Sequence, residues 1–100
     1  MNMTIEIKRN ADEAIIKIVG RLDTTTAPAL DKTINEDVAD VKNLVLDVKE
    51  LEYISSAGLR VLLAAQKIMN KQGEMIVKNV NETISEIFEV TGFVDILTIE

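Results

Sequence analysis

Two short runs with a period of two open the chain, and they restrict its topology more than any other feature. From Thr4 to Lys8, Ile5 and Ile7 alternate with Thr4, Glu6 and Lys8, the pattern of a strand with one wet face. A polar turn at Asn10 to Glu13 leads into AIIKIVG, where Ala14, Ile16 and Ile18 fall on one face and Ile15, Lys17 and Val19 on the other. So short a connection joins antiparallel neighbours, and the fold is expected to begin with a hairpin.

Beyond Gly20 the period changes. GRLDTTTAPAL sets three hydroxyl residues ahead of Pro28, the arrangement of a helix start. A helix is expected from about Ala27 to Asp37, with Leu30, Ile34 and Val38 facing inward. Val41 to Lys49 alternates Leu44, Leu46 and Val48 with Val45, Asp47 and Lys49, which predicts a third strand. SAGLRVLLAAQKIMNK is rich in helix formers and Gly73 follows it, so a second helix is predicted from near Ser56 to Lys71. EMIVKNV then reads as a fourth strand. Glu82 to Thr91 places Ile84, Ile87, Phe88 and Thr91 at helical spacing, Gly92 closes that helix, and DILTI is expected to be a last short strand.

The order β-β-α-β-α-β-α-β predicts an α/β fold with a mixed five-stranded sheet, antiparallel in its first hairpin and joined by parallel crossovers after it. Glu6, Lys8, Lys17, Asp47, Lys49 and Lys78 interrupt the strands on what reads as one face. A sheet covered on both sides has nearly continuous apolar strands, so the three helices are expected mainly on the other face. With 100 residues, 47% of them apolar, and only four Gly and one Pro, the composition fits one globular domain over residues 1–100.

Charge and composition narrow the function. Seventeen acidic against eleven basic residues give a net charge of -6, which repels nucleic-acid phosphates and anionic membrane surfaces. Lys67 and Lys71 gather on one helix, but the interleaved aromatics that stack on bases are missing, since the aromatics are Tyr53, Phe88 and Phe93 alone. Neither a nucleic-acid nor a membrane partner is expected. The chain has no Cys and no His, so it has no disulfide or thiol nucleophile, and it lacks the commonest general base and metal ligand. No catalytic residue and no metal site are expected. MNMTIEIKRN has no apolar core flanked by basic residues, and no uninterrupted apolar stretch approaches a membrane span. A cytoplasmic location is expected.

The segment LDVKELEYISSAGLRVLL carries a strand, a short connection and a helix start with two serines in tandem. One hydroxyl, of Ser55 or of Ser56, suffices to cap the helix, and the other is spare. The free N–H groups and positive dipole end of a helix N-terminus favour a negative group, and Ala57 with Gly58 keeps the backbone approachable. A phosphate on Ser56 would fit there without strain, but on local sequence alone the favoured reading of either serine is a plain N-cap. Along the same helix Arg60, Leu63, Ala64, Lys67 and Lys71 fall on one side, with Val61, Leu62, Ala65, Ile68 and Met69 on the other. Leu63 is the apolar member of the polar side. It is either a lone exposed leucine of no consequence or, between Arg60 and Lys67, part of a docking patch.

Taken in order, GRLDTTTAPAL, LVLDV, YISSAGLRVLL and a final helix ending in TGF make the chain similar over its whole length to STAS domains. The resemblance is specifically to the small bacterial anti-sigma factor antagonists. It implies that the serine opening the second helix, Ser56, is phosphorylated by an anti-sigma factor that doubles as a serine kinase, and that a serine phosphatase reverses this. It also implies a partner surface of Asp23, Ser55, Gly58, Arg60, Leu63 and Lys67. The family commonly has Asp where this chain has Ser55. Asp23, in the loop after the second strand, also suits an Asx-turn or capping role, and the two roles are compatible. Asp47 matches the family pattern too, but within an alternating strand it is equally a wet-face residue.

On this resemblance ATP and Mg²⁺ belong to the kinase, and no cofactor is expected in this chain. Two other functions stay open. A non-switching STAS subunit of a larger signalling or lipid-transport assembly would use Ser56 only as a cap. An enzyme would need a base beside Ser56, and GxSxG, GxxxxGK[ST] and GxGxxG are all absent. Nothing in the sequence sets the oligomeric state.

Overall fold

The computed structural model describes residues 3–100. Strands β1 (Met3–Asn10) and β2 (Glu13–Leu22) form the antiparallel hairpin, with Ile5 opposite Ile18 and Glu6 opposite Lys17. Only Ala11 and Asp12 connect them. Ala11 holds φ at +54°, the left-handed conformation that a tight hairpin asks for and that costs a non-glycine residue about 1–2 kcal/mol.

The axis of the sheet is β2. Its other side pairs in parallel with β3 (Asn43–Asp47) over Glu13–Lys17, and with β4 (Leu51–Ile54) over Gly20–Leu22. The register shifts between Gly20 and Arg21, where Gly20 adopts a φ of +100° and its N–H donates to the Glu50 carbonyl at 3.0 Å. This irregularity lets one strand serve two parallel neighbours in succession. β5 (Glu74–Lys78) pairs in parallel with β3, giving the order β1-β2-β3-β5 with β4 beside β2.

Helices α1 (Ala27–Asp37), α2 (Ser56–Gln72) and α3 (Glu82–Thr91) all contribute to one core. Leu30 and Ile34 of α1, Leu62 and Met69 of α2, and Ile84 and Phe88 of α3 pack in one cluster with Ile16, Ile18, Leu44, Leu46 and Val77 from the strands. The other face of the sheet carries Glu6, Lys8, Ile15, Lys17 and Asp47 around a shallow depression. There Lys17 pairs with Glu50 at 2.7 Å, and the hydrogen bond to Glu50 holds its pKa above the ordinary lysine value. Among the described residues no helix is long and apolar enough to cross a membrane.

The fold class matches the expectation, but one of the five strands is a different segment. LEYI, expected to lie in the connection before α2, is β4. DILTI, expected to be a strand, is not one: Phe93–Asp95 forms a 3₁₀ turn, and only Ile99 bridges to Val77. The N–H groups of Ile96 and Leu97 both donate to the Phe93 carbonyl at 2.9 Å, so local bonds replace a sheet ladder, and Val94 and Ile96 stay 45% and 44% exposed. Leu51 and Ile54 are buried, which contributes about 1.5–3 kcal/mol each and fixes LEYI to the sheet. The third strand is also shorter than expected, and Lys49 lies in the turn after it rather than on the sheet.

Candidate functional site

The carboxyl ends of β2 and β4 deliver two loops side by side, because Leu22 lies opposite Ile54 in the parallel ladder. Ser55 follows β4 in extended conformation, with φ at -94° and ψ at 177°. Its N–H donates to the Leu22 carbonyl at 2.9 Å, and its Oγ accepts the Gly58 N–H at 3.4 Å. Ser55 is thus the N-cap of α2. Ser56 is the first helical residue, it is exposed, and the cap does not use its hydroxyl. Its place beside the free N–H groups of the first turn suits a negative group.

Gly58, grouped by resemblance with the partner surface, is buried. A Cβ there would lie 2.7 Å from Leu22 Cγ, 2.8 Å from Ile54 Cγ1 and 2.9 Å from the Leu22 carbonyl oxygen. The absence of a side chain lets α2 begin directly over the ends of β2 and β4. Gly58 positions the serines; it offers a partner no exposed side chain.

Asp23 organises the neighbouring loop. Its Oδ1 accepts the Thr25 hydroxyl at 2.8 Å and the N–H groups of Thr25 and Thr26 at 3.0 and 3.2 Å. The Thr25 hydroxyl, followed by these backbone donors, holds the Asp23 carboxyl below the usual aspartate pKa. Buried Thr26 accepts the Asp23 N–H and donates to the Arg21 carbonyl, each at 2.8 Å. Before Pro28, then, a closed Asx-type network takes the place of a side-chain cap. Oδ2 of Asp23 faces Arg21 Nε at 3.9 Å, and the Arg21 guanidinium sits 4.5 Å from the centre of the Tyr53 ring.

Ser56, Leu59, Arg60, Leu63, Thr91 and Phe93 line a shallow, largely apolar groove of about 320 Å³. Leu63 is half-buried there and does not belong to the core cluster. The structure thus brings Ser56, Arg60 and Leu63 together on one groove and sets Ser55 and Asp23 in the loops beside its serine end. Lys67 is exposed one turn further along α2, outside the groove. Thr91 and Phe93 form a wall that sequence reading missed. Gly92, at φ +81°, ends α3 and turns the chain into Phe93, and TGF was the available signal. α3 is itself tied to β4, since Asn81 caps it by accepting the Ile84 N–H at 2.9 Å and donates to the Leu51 carbonyl at 2.7 Å.

Two features lie apart from this groove. Asp47 sits on the open face; burial pushes its carboxyl up, but the Asn79 amide and the Lys49 N–H outweigh that and hold it low. A larger open depression of about 600 Å³, between the β3–β4 turn and the start of α3, contains none of the expected site residues.

The STAS domain family model matches residues 3–100. The anti-sigma-B factor antagonist of Listeria monocytogenes is 34% identical over 105 residues, covering 100% of this chain and 90% of that protein. The crystal structure of an anti-sigma factor antagonist from Mycobacterium paratuberculosis superposes with a TM-score of 0.87 at 26% identity, covering 97% of this chain and 84% of the other. SpoIIAA in its unphosphorylated form shares the fold, with a TM-score of 0.83 at 16% identity over 97% of this chain and 88% of its own. The fold and a family match spanning the described residues agree, and the chain belongs to the STAS domain family, with bacterial anti-sigma factor antagonists among its relatives.

Proposed function

We propose that this protein is an anti-sigma factor antagonist working in the cytoplasm. Unphosphorylated, it binds an anti-sigma factor that is also a serine kinase, and the sigma factor held by that partner is freed to direct transcription. The kinase transfers the γ-phosphoryl group of its ATP to Ser56 Oγ, the hydroxyl proton leaves, and the modified protein is released. A serine phosphatase restores the hydroxyl by hydrolysis. The chain itself acts as substrate and ligand, not as a catalyst, and ATP and Mg²⁺ come with the kinase.

The observation that carries this reading is the division of labour between the two serines. Ser55 caps α2 by accepting the Gly58 N–H, while Ser56 is exposed at the edge of an apolar groove. That groove, with Leu63 and Phe93 in its walls and Arg60 at its rim, suits burial against a partner. The names of the relatives support the choice of partner.

A phosphate on Ser56 adds about -1.5 to -2 charges at neutral pH. The free N–H groups at the start of α2 tolerate that charge within the domain, but a partner closing over the groove must desolvate it. The test is incubation with the host's anti-sigma factor kinase and ATP, followed by mass spectrometry, alongside affinity measurements on wild type and Ser56→Asp. Phosphate on Ser56 and weak binding of Ser56→Asp support the proposal. Wild-type affinity in Ser56→Asp favours a non-switching subunit of a larger assembly.

A further inference from the structure

The two edges of the sheet are unequal. Along β5, the Val77 N–H donates to the Thr98 carbonyl at 2.8 Å and the Glu100 N–H donates to the Val77 carbonyl at 2.9 Å, so residues 98–100 cover that edge. β1 ends the sheet on the other side, and among the described residues no backbone group pairs with its outer edge. It is eight residues long, contains no proline or bulge, and leaves Ile7 39% exposed. An edge of this kind is a template for another strand unless its charges forbid pairing.

Its charges do not forbid pairing with itself. Glu6 and Lys8 lie two residues apart on the open face of the sheet, opposite Lys17 and Ile15 of β2, while Ile5 and Ile7 point to the helix side. We propose that β1 pairs antiparallel with β1 of a second copy, about a two-fold axis, in the register that sets Ile7 opposite Ile7. In that register Glu6 of each copy faces Lys8 of the other, twice over, and Ile7 is covered. Shifting by one residue on each side sets either Glu6 against Glu6 or Lys8 against Lys8, so the charges favour this register over its two neighbours, and a further shift that sets Ile5 opposite Ile5 pairs only residues 3–7 of the strand. The product is a continuous ten-stranded sheet, and no residue lining the Ser56 groove belongs to β1. An edge contact is small, so the dimer is weak and depends on concentration and salt.

The test is sedimentation of the full chain across micromolar to millimolar concentrations, for wild type, Glu6→Lys, Lys8→Glu and the double exchange. Wild type should self-associate, each single exchange should raise the dimer dissociation constant about tenfold or more, and the double exchange should restore it. Glu6→Lys also sets a like charge against Lys17 within the same copy, and melting curves on all four proteins confirm that each is folded. The double exchange keeps that internal clash, so its recovery isolates the contact between copies. A wild type that stays monomeric, a dimer indifferent to both single exchanges, or a double exchange that fails to recover overturns the proposal.

Discussion

The Ser55 N–H donates to the Leu22 carbonyl at 2.9 Å, which fixes the first turn of α2 to the end of β2. This bond carries the serine pair on the rigid part of the sheet and sets it beside the loop organised by Asp23.

The two serines should separate in a stability measurement. Ser55→Ala removes the acceptor for the Gly58 N–H and should cost about 1 kcal/mol in urea unfolding. Ser56→Ala should stay within about 0.5 kcal/mol of wild type, since Ser56 is exposed and is not the cap. The reverse ranking would assign the cap to Ser56.

Gly58→Ala should be destabilising, although Gly to Ala within a helix normally gains stability. The added methyl meets Leu22 and Ile54 at 2.7 and 2.8 Å, an overpacking expected to cost about 1–3 kcal/mol. A neutral or stabilising result in urea unfolding would mean that α2 shifts freely over the strand ends.

Leu62 and Leu63 are neighbours in sequence with opposite roles. Leu62 is fully buried, and Leu62→Ala should cost about 2–5 kcal/mol. Leu63→Ala should cost less than about 1 kcal/mol yet lower affinity for the anti-sigma factor about tenfold. Strong destabilisation by Leu63→Ala would place that side chain in the core.

Much of this was legible locally. The period-two runs gave the hairpin, and Leu30, Ile34, Leu62 and Met69 fell on the buried faces of their helices as the spacing implied. β4 was not legible because it buries only its two ends, Leu51 and Ile54, with Glu52 and Tyr53 exposed between them, a pattern without period two. DILTI misled for the opposite reason: it looks apolar enough for a strand, but the Asp95 N–H donates to the Gly92 carbonyl and those of Ile96 and Leu97 to the Phe93 carbonyl. Which serine caps α2 depends on where β4 releases the chain, and the Thr91–Phe93 wall depends on packing between α2 and the end of α3. Neither relationship is written in adjacent residues.

Stability should fall on both sides of neutrality for identifiable reasons. Asp23 has a folded pKa below its ordinary value of 3.8, so its contribution is fully present above the ordinary aspartate range. That contribution is lost as pH falls through the folded pKa. Lys17 has a folded pKa above its ordinary 10.5; its contribution is present below that value and lost as pH rises through the folded pKa. Melting temperature against pH should show a shallower acid slope for Asp23→Asn and a shallower alkaline slope for Lys17→Met. Slopes unchanged from wild type would mean that other groups govern both limbs.

The switch itself is tested most directly by titrating the anti-sigma factor with unmodified protein and with protein phosphorylated on Ser56, with melting curves recorded for both forms. The predicted result is an affinity loss of at least about tenfold, which needs only ~1.4 kcal/mol, with the melting transition nearly unchanged because the start of α2 accommodates the phosphate. Equal affinity of the two forms, or a collapse of the fold on phosphorylation, would contradict it.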